Sequence, residues 1–248
     1  MIVDKLNEII NSYSENNSLK NFCVYVKEHV NDIDHMNINE LAKGCYVSKG
    51  QISKYVRQLG YDNYAEFRDD CISYKDSLKQ KRPIFNKNAS IVKNVDVTTK
   101  NYIQCLNYTI CNLDYIKLRQ LTHDILSSHY VYLYGHGDVR GNCYNLQREL
   151  KYLNISVMIL DEKLTKNYQF QEKDILIVLS TNGQLFHYDK RKIKKLKEMN
   201  VAKWLITCHE TIDFCDKQLC IPSYDIQYNE LIMTYVLNIL IMNLQISI

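Results

Sequence analysis

Apolar residues in this chain follow two periods, helical up to Ser127 and short continuous runs beyond it. In the first part, Phe22, Cys23, Val26 and Val30 lie on one face of a helix over 19–30, and Ile52, Tyr55, Val56 and Leu59 form a second such stripe. Between them, residues 37–60 contain two helix starts. Asn37 can accept backbone N–H bonds while Glu40 reaches back to the cap, and Ser48 with Gln51 repeats that reciprocal box. Met36 with Leu41 and Val47 with Ile52 staple these two starts, and Gly60 is the expected stop. The reading is two short helices and a tight turn, a helix-turn-helix. Tyr64, Phe67, Cys71 and Ile72 continue the spacing in a further helix capped by Asp62 or Asn63, closing an all-α domain over residues 1–77.

From Lys79 to Lys100 there are six basic residues, one acid and a proline. This predicts a basic linker over 78–100. Thr98 or Thr99 then caps helical sequence carrying Ile103, Leu106, Ile110, Leu113, Ile116, Leu118 and Leu121. After Tyr130 the pattern becomes that of strands, at 131–134, 155–160, 175–179, 203–207 and 218–221, the first four separated by helix-length segments such as 145–153 and 190–199. Apolar strands alternating with helices mean a five-stranded parallel sheet covered on both faces, an α/β domain over 101–248.

Composition adds little until it is read locally. With 46% apolar and 24% charged residues in 248, the chain is ordinary globular material, and its net charge of +3 is too small to attract a polyanion at long range. Residues 1–82 balance twelve charges of each sign, yet 43–61 hold four positive and no negative ones. Lys49, Gly50, Ser53, Lys54 and Arg57 face away from the apolar stripe, and with Ser48 and Gln51 they are the candidate contacts to a double-stranded DNA operator, Gln51 and Lys54 being the ones expected at base edges. The alternative is a solvated helix face. The six cations of 190–197 read that way, since Ile193 and Leu196 mark its packed side.

No secretory signal opens the chain, and the run 231–244 is too short and too polar to span a membrane. Nine cysteines without a Cys-x-x-Cys pair suit reduced thiols in a cytoplasm, and the spacing of Cys208, His209, Cys215 and Cys220 fits no zinc site. No metal or cofactor is expected. Open parallel sheets take ligands at the carboxyl ends of their strands. Gly135, His136, Gly137 and Asp138 follow the first strand, and Ser180, Thr181, Asn182, Gly183 and Gln184 follow the third, a turn whose N–H groups suit phosphate. Asp138 would repel an anion, and Arg140 is the nearby cation that could offset it. The segment 230–244, apolar around most of its circumference, predicts a homodimer or larger homo-oligomer.

A helix-turn-helix ending in Leu59-Gly60-Tyr61, a linker, and a parallel domain with Gly135-x-Gly137 after its first strand and Ser180-x-x-Gly183 after its third resembles the RpiR family of bacterial transcriptional regulators. Leu41-Ala42, Val47-Ser48, Ile52-Ser53-Lys54, Leu146, Leu150, Asp174, Ile206-Thr207 and Asp216 extend it over nearly the whole chain. The resemblance implies a DNA-binding regulator of carbohydrate metabolism that is not an enzyme. Its C-terminal SIS (sugar isomerase) domain, flavodoxin-like in fold, would sense a phosphosugar. The pattern departs from the family at Val139, Asn182 and Leu185, where hydroxyl residues are usual, and at Tyr46, where glycine is common. Those departures leave a second reading, a vestigial SIS domain used for dimerisation only. A third is a sugar-phosphate isomerase, for which His136, His187, His209 and Glu230 are the available bases.

Overall fold

Phe22 is the hub of the first unit. Its ring lies 5.2 Å from Tyr55 and 6.1 Å from Phe67, and Tyr61 meets Phe67 edge-on at 5.6 Å. The computed structural model describes residues 2–12, 17–80, 86–161, 164–183, 185–186, 190–210, 212–215 and 217–247. They divide into two units, Met1–Arg82 and Pro83–Ile248. Around Phe22 pack α1 (Ile2–Ser12), α2 (Ser18–Glu28), α3 (Ile38–Gly44), α4 (Lys49–Gln58) and α5 (Tyr64–Gln80). Asn17 starts α2 by accepting from Leu19 and Lys20 N–H, and Asn63 takes the N–H of Glu66 at the head of α5. Helix α1 has no counterpart in the sequence reading. Its Ile2, Leu6 and Ile9 are buried, and so is Lys5, whose ammonium sits 3.7 Å over the Tyr61 ring while Tyr61 donates its hydroxyl to buried Asp70 at 2.5 Å. An aromatic face beside a carboxylate-bound hydroxyl is what makes a buried cation tolerable there.

The second unit contains α6 (Ile91–Asn112), α7 (Tyr115–Ser127), β1 (Val131–Gly135), α8 (Arg140–Tyr152), β2 (Val157–Ile159), β3 (Ile175–Leu179), α9 (Lys190–Glu198), β4 (Ala202–Thr207), β5 (Lys217–Cys220) and α10 (Asn229–Ser247). Strand order is β2-β1-β3-β4-β5 and every pairing is parallel. Each residue of β1 and β3 is buried. Val131, Leu133, Ile175, Ile177 and Leu179 face one core with α7, α8 and α10, while Tyr132, Tyr134, Leu176 and Val178 face the other with Leu196 of α9. The α/β reading with a five-stranded parallel sheet holds.

Two stretches differ from expectation. The stretch read as a linker up to residue 100 is helical from Ile91, because Ser90 Oγ accepts the N–H of Lys93 and supplies a cap ahead of the Thr98 or Thr99 expected. Helix α10 hides more of itself than its composition suggested. Ile232, Met233, Val236, Leu237, Leu240, Ile241 and Leu244 are all buried within the unit, which leaves Leu231, Met242 and Ile246 on a narrow outer strip.

One carboxylate on α7 ties two strands: Asp124 Oδ2 accepts from Trp204 Nε1 of β4 at 2.8 Å and from Lys217 Nζ of β5 at 2.6 Å. Burial pushes the Asp124 carboxyl up, but the bonds from Lys217 and Trp204 outweigh it and hold the group below its ordinary value. A depressed folded pKa adds stability above the unfolded value of about 4, and that stability is lost as pH falls through the folded value. Asp124→Asn should therefore lower the urea midpoint at pH 7, and the gap to wild type should close below about pH 4. Equal midpoints at neutral pH would show that the tie contributes nothing.

Candidate functional site

The first candidate locus is α4. Asn37 Oδ1 accepts from Asn39 and Glu40 N–H, and Glu40 Oε2 takes the Asn37 N–H at 2.7 Å, so α3 carries the full reciprocal box. At α4 only the first half forms among the described residues: Ser48 Oγ accepts from Gln51 N–H at 3.2 Å, and the Gln51 side chain makes no return bond. That releases the Gln51 amide from the competition between cap and base that the sequence posed. Both helices end in the same six-residue closure. Val47 N–H reaches Ala42 O after α3, and Tyr61 N–H reaches Val56 O after α4, with Tyr46 and Gly60 in left-handed backbone at φ 55° and 88°. Tyr46 thus occupies a glycine position, with its ring 96% exposed. Buried Ile52, Tyr55 and Val56 hold α4 down, and Ser48, Lys49, Gly50, Lys54 and Arg57 are exposed, with Ser53 and Gln51 half-buried at the margin. A Cβ on Gly50 would meet nothing closer than 3.8 Å, so glycine there is no demand of packing and leaves room for a close neighbour.

The second locus lies at the carboxyl end of the sheet. Because Gly135 of β1 registers with Leu179 of β3, the loops that follow them run side by side. Gly135 has a packing reason for its identity, since a Cβ would meet Cys143 Sγ at 2.7 Å and Val139 Cγ1 at 2.9 Å. His136 and Gly137 are half-buried, and Gly137 (φ 65°) opens the 3-10 turn Gly137–Val139 that contains Asp138. Val139 and Leu185, where the family has hydroxyls, are core residues with 5% and 7% exposure. The Arg140 guanidinium donates to the carbonyls of Gly135 and Leu160 and so braces the ends of β1 and β2.

Ser180 is buried, and Gly183 adopts φ 70° where a Cβ would lie 3.1 Å from the His209 ring. Thr181 O accepts the N–H of Cys208 at 2.9 Å, which laces this loop to the end of β4. Asn182 Oδ1 is 2.6 Å from Nδ2 of buried Asn229, the first residue of α10, and Ser223 Oγ completes the chain on Asn229 Oδ1. Gln184, His187 and Asp216 lie outside the described residues. Asn229 and Ser223 were not singled out by sequence, and the only signal was a polar residue opening an otherwise apolar helix.

Together these loci define a class: a helix-turn-helix unit followed by a parallel α/β unit with a glycine-containing turn at its sheet's carboxyl end. No family model matches the chain. A curated relative, the HTH-type transcriptional regulator GlvR of Bacillus subtilis, is 23% identical over 189 residues, 73% of this chain and 68% of its own. The structure of the Vibrio vulnificus NanR protein complexed with ManNAc-6P aligns with all of this chain and 92% of its own, at TM-score 0.52 and 16% identity. A putative sugar-phosphate isomerase from Listeria monocytogenes aligns with 66% of this chain and 92% of its own, at TM-score 0.53 and 16% identity. Those two likenesses speak for the fold. The resemblance to the RpiR regulators, carried by the motifs, is matched by the curated relative and by the architecture.

Left-handed backbone costs a non-glycine residue roughly 1–2 kcal/mol. Because the Tyr46 ring is exposed and buries almost nothing, Tyr46→Gly should raise stability by about 0.5–1 kcal/mol in urea titration, whereas a loss would mean the ring has a partner in solution.

Proposed function

We propose that the chain is a DNA-binding transcriptional regulator of carbohydrate metabolism, acting in the cytoplasm, whose C-terminal unit responds to a phosphosugar. The observation that carries it is the pair of capped helices presenting Lys49, Gly50, Lys54 and Arg57 on the outer face of α4. Lys54, exposed in mid-helix, and Gln51, freed from its box, are assigned to base edges, while Lys49, Ser53 and Arg57 serve bases or phosphates. For the effector, the turn that opens at Ser180 and includes Thr181, Asn182 and Gly183 is assigned together with Gly135 to Asp138 beside it, and the sugar phosphate named with the NanR structure belongs to the same chemical class.

A specific observation keeps the vestigial reading in play. Val139 and Leu185 are packed into cores, and Asn182 is engaged by Asn229, so the loop keeps few of the side-chain donors usual at such sites. We read the chain as no enzyme, although some proteins of similar fold are described as isomerases. Among the described residues, no hydrogen bond of His136 or His209 to a carboxylate marks either as a general base.

Assembly as a homodimer is supported by apolar surface that one subunit leaves open: Ile91, Val92, Val95 and Ile103 on α6 and Leu231, Met242 and Ile246 on α10. Two tests follow. Lys54→Ala with Arg57→Ala should weaken operator binding by ~10-fold or more for each base interaction removed, and removal of a phosphate interaction should flatten the salt dependence by about one unit of slope. Unchanged affinity in fluorescence anisotropy would sink the assignment of α4. Val95→Glu with Ile103→Glu should shift light scattering from dimer to monomer at micromolar concentration, and a monomeric wild type would remove the assembly reading.

A further inference from the structure

Resting on the DNA reading just given, we infer that Tyr46, in the turn between α3 and α4, is a further DNA contact whose hydroxyl donates to a backbone phosphate beside the groove that α4 enters. Two observations meet at this residue. It is 96% exposed and its hydroxyl makes no hydrogen bond among the described residues, so the side chain contributes almost nothing to the fold of the first unit. Its backbone is nevertheless held at φ 55°, a conformation that is costly for a residue with a Cβ and that glycine adopts freely. A strained position that keeps a large side chain the fold does not use points to a partner outside the fold.

Neighbouring bonds fix where Tyr46 stands. Cys45 N–H donates to Leu41 O at 3.0 Å, Tyr46 N–H to Lys43 O at 3.2 Å and Val47 N–H to Ala42 O at 3.0 Å, so the turn cannot relax without giving up the closure of α3. Val47 then packs on the core, and Ser48 caps α4. Tyr46 comes two residues before that cap, within about 7 Å of it. In a helix-turn-helix the first residues of the second helix meet base edges, so the residues just ahead of its cap arrive at the rim of the groove, where the phosphates run.

The charge around the turn suits a phosphate. Lys43 and Lys49, three residues to either side, are exposed cations, and 43–61 contain no acid that would repel one. A phenol adds a hydroxyl donor on a rigid ring, and because two torsions place it, little conformational freedom is lost when it donates to a phosphate oxygen. Being neutral, it displaces no counterion from the DNA, which makes its part separable from that of Lys and Arg by salt. The glycine usual here in the RpiR pattern would close the turn with less strain and offer no donor.

The test uses the full chain, a duplex that it enriches from a random pool, and a scrambled duplex of the same length, with affinity read by fluorescence anisotropy over a salt series. Tyr46→Phe keeps the ring and loses the hydroxyl. It should weaken binding roughly 3- to 10-fold on both duplexes alike, as for one lost hydrogen bond that carries no sequence information, and leave the salt slope unchanged. Tyr46→Gly should lose at least as much affinity while its urea midpoint is no lower than that of wild type, which separates binding from folding. Wild-type affinity in Tyr46→Phe overturns the assignment, and so does a loss confined to the enriched duplex, which would put the hydroxyl on a base. A midpoint below wild type in Tyr46→Gly would show that the fold uses the ring, and overturns it too. In each of these cases weaker binding by Lys54→Ala with Arg57→Ala leaves the DNA reading standing. Unchanged affinity in that double variant, or failure of wild type to enrich any duplex, defeats the DNA reading of α4 itself.

Discussion

Burial of β1 and β3 on both faces is the constraint from which the second unit follows. A strand with every side chain covered can present nothing to solvent along its length, so its polar business is confined to its ends. At the carboxyl ends the chain must turn into a helix or loop within a residue or two, and it is in those turns that its polar groups gather. The register that places Gly135 opposite Leu179 makes two such turns neighbours, and the pairing of β3 with β4 brings Thr207 to His209 alongside. A cluster of functional groups is the by-product of a packing rule. The same rule forces Val139 and Leu185 inward, and there the core has displaced the hydroxyls the turn could have offered.

The first unit solves a different problem, how to hold a short helix still. Ten residues of α4 would not keep helical form alone. Its cap, its closure on Tyr61 and the seating of Tyr55 and Val56 around Phe22 supply what propensity does not. Tyr61 then passes that restraint outward, bonding Asp70 of α5 and lying beneath Lys5 of α1. The helix assigned to DNA is thus referenced to the ends of the unit through one aromatic ring.

How far the sequence foretells this depends on the range of the interactions involved. Caps, staples and closures act within six residues, so Asn37, Glu40, Ser48 and Gly60 were legible, as was the change of period that marks the sheet. Helix α1 was missed because Lys5 interrupts its apolar stripe, and only the fold shows the aromatic face that accepts it. The start of α6 was missed because Ile91, Val92, Val95 and Val97 are β-branched and Lys-rich sequence surrounds them, which weights local reading toward extended chain. Contacts such as Asn182 with Asn229, 47 residues apart, leave no local trace. Half of the reciprocal box at Ser48 was over-read, since Gln51 has the right identity but its side chain does not return to the cap.

The cysteines have a practical consequence. Cys23, Cys71, Cys105 and Cys143 are buried, and burial pushes the thiols of Cys23, Cys143 and Cys208 up to about 12, so almost none of their thiolate exists near neutral pH. Thiolate is the form that reacts with alkylating probes and oxidants. Cys111 at the end of α6 and Cys220 at the end of β5 are exposed in this fold. A chain with nine thiols therefore behaves toward brief labelling as one with few, and a fluorophore placed at either exposed position would report on the second unit while the folded cores stay unmodified.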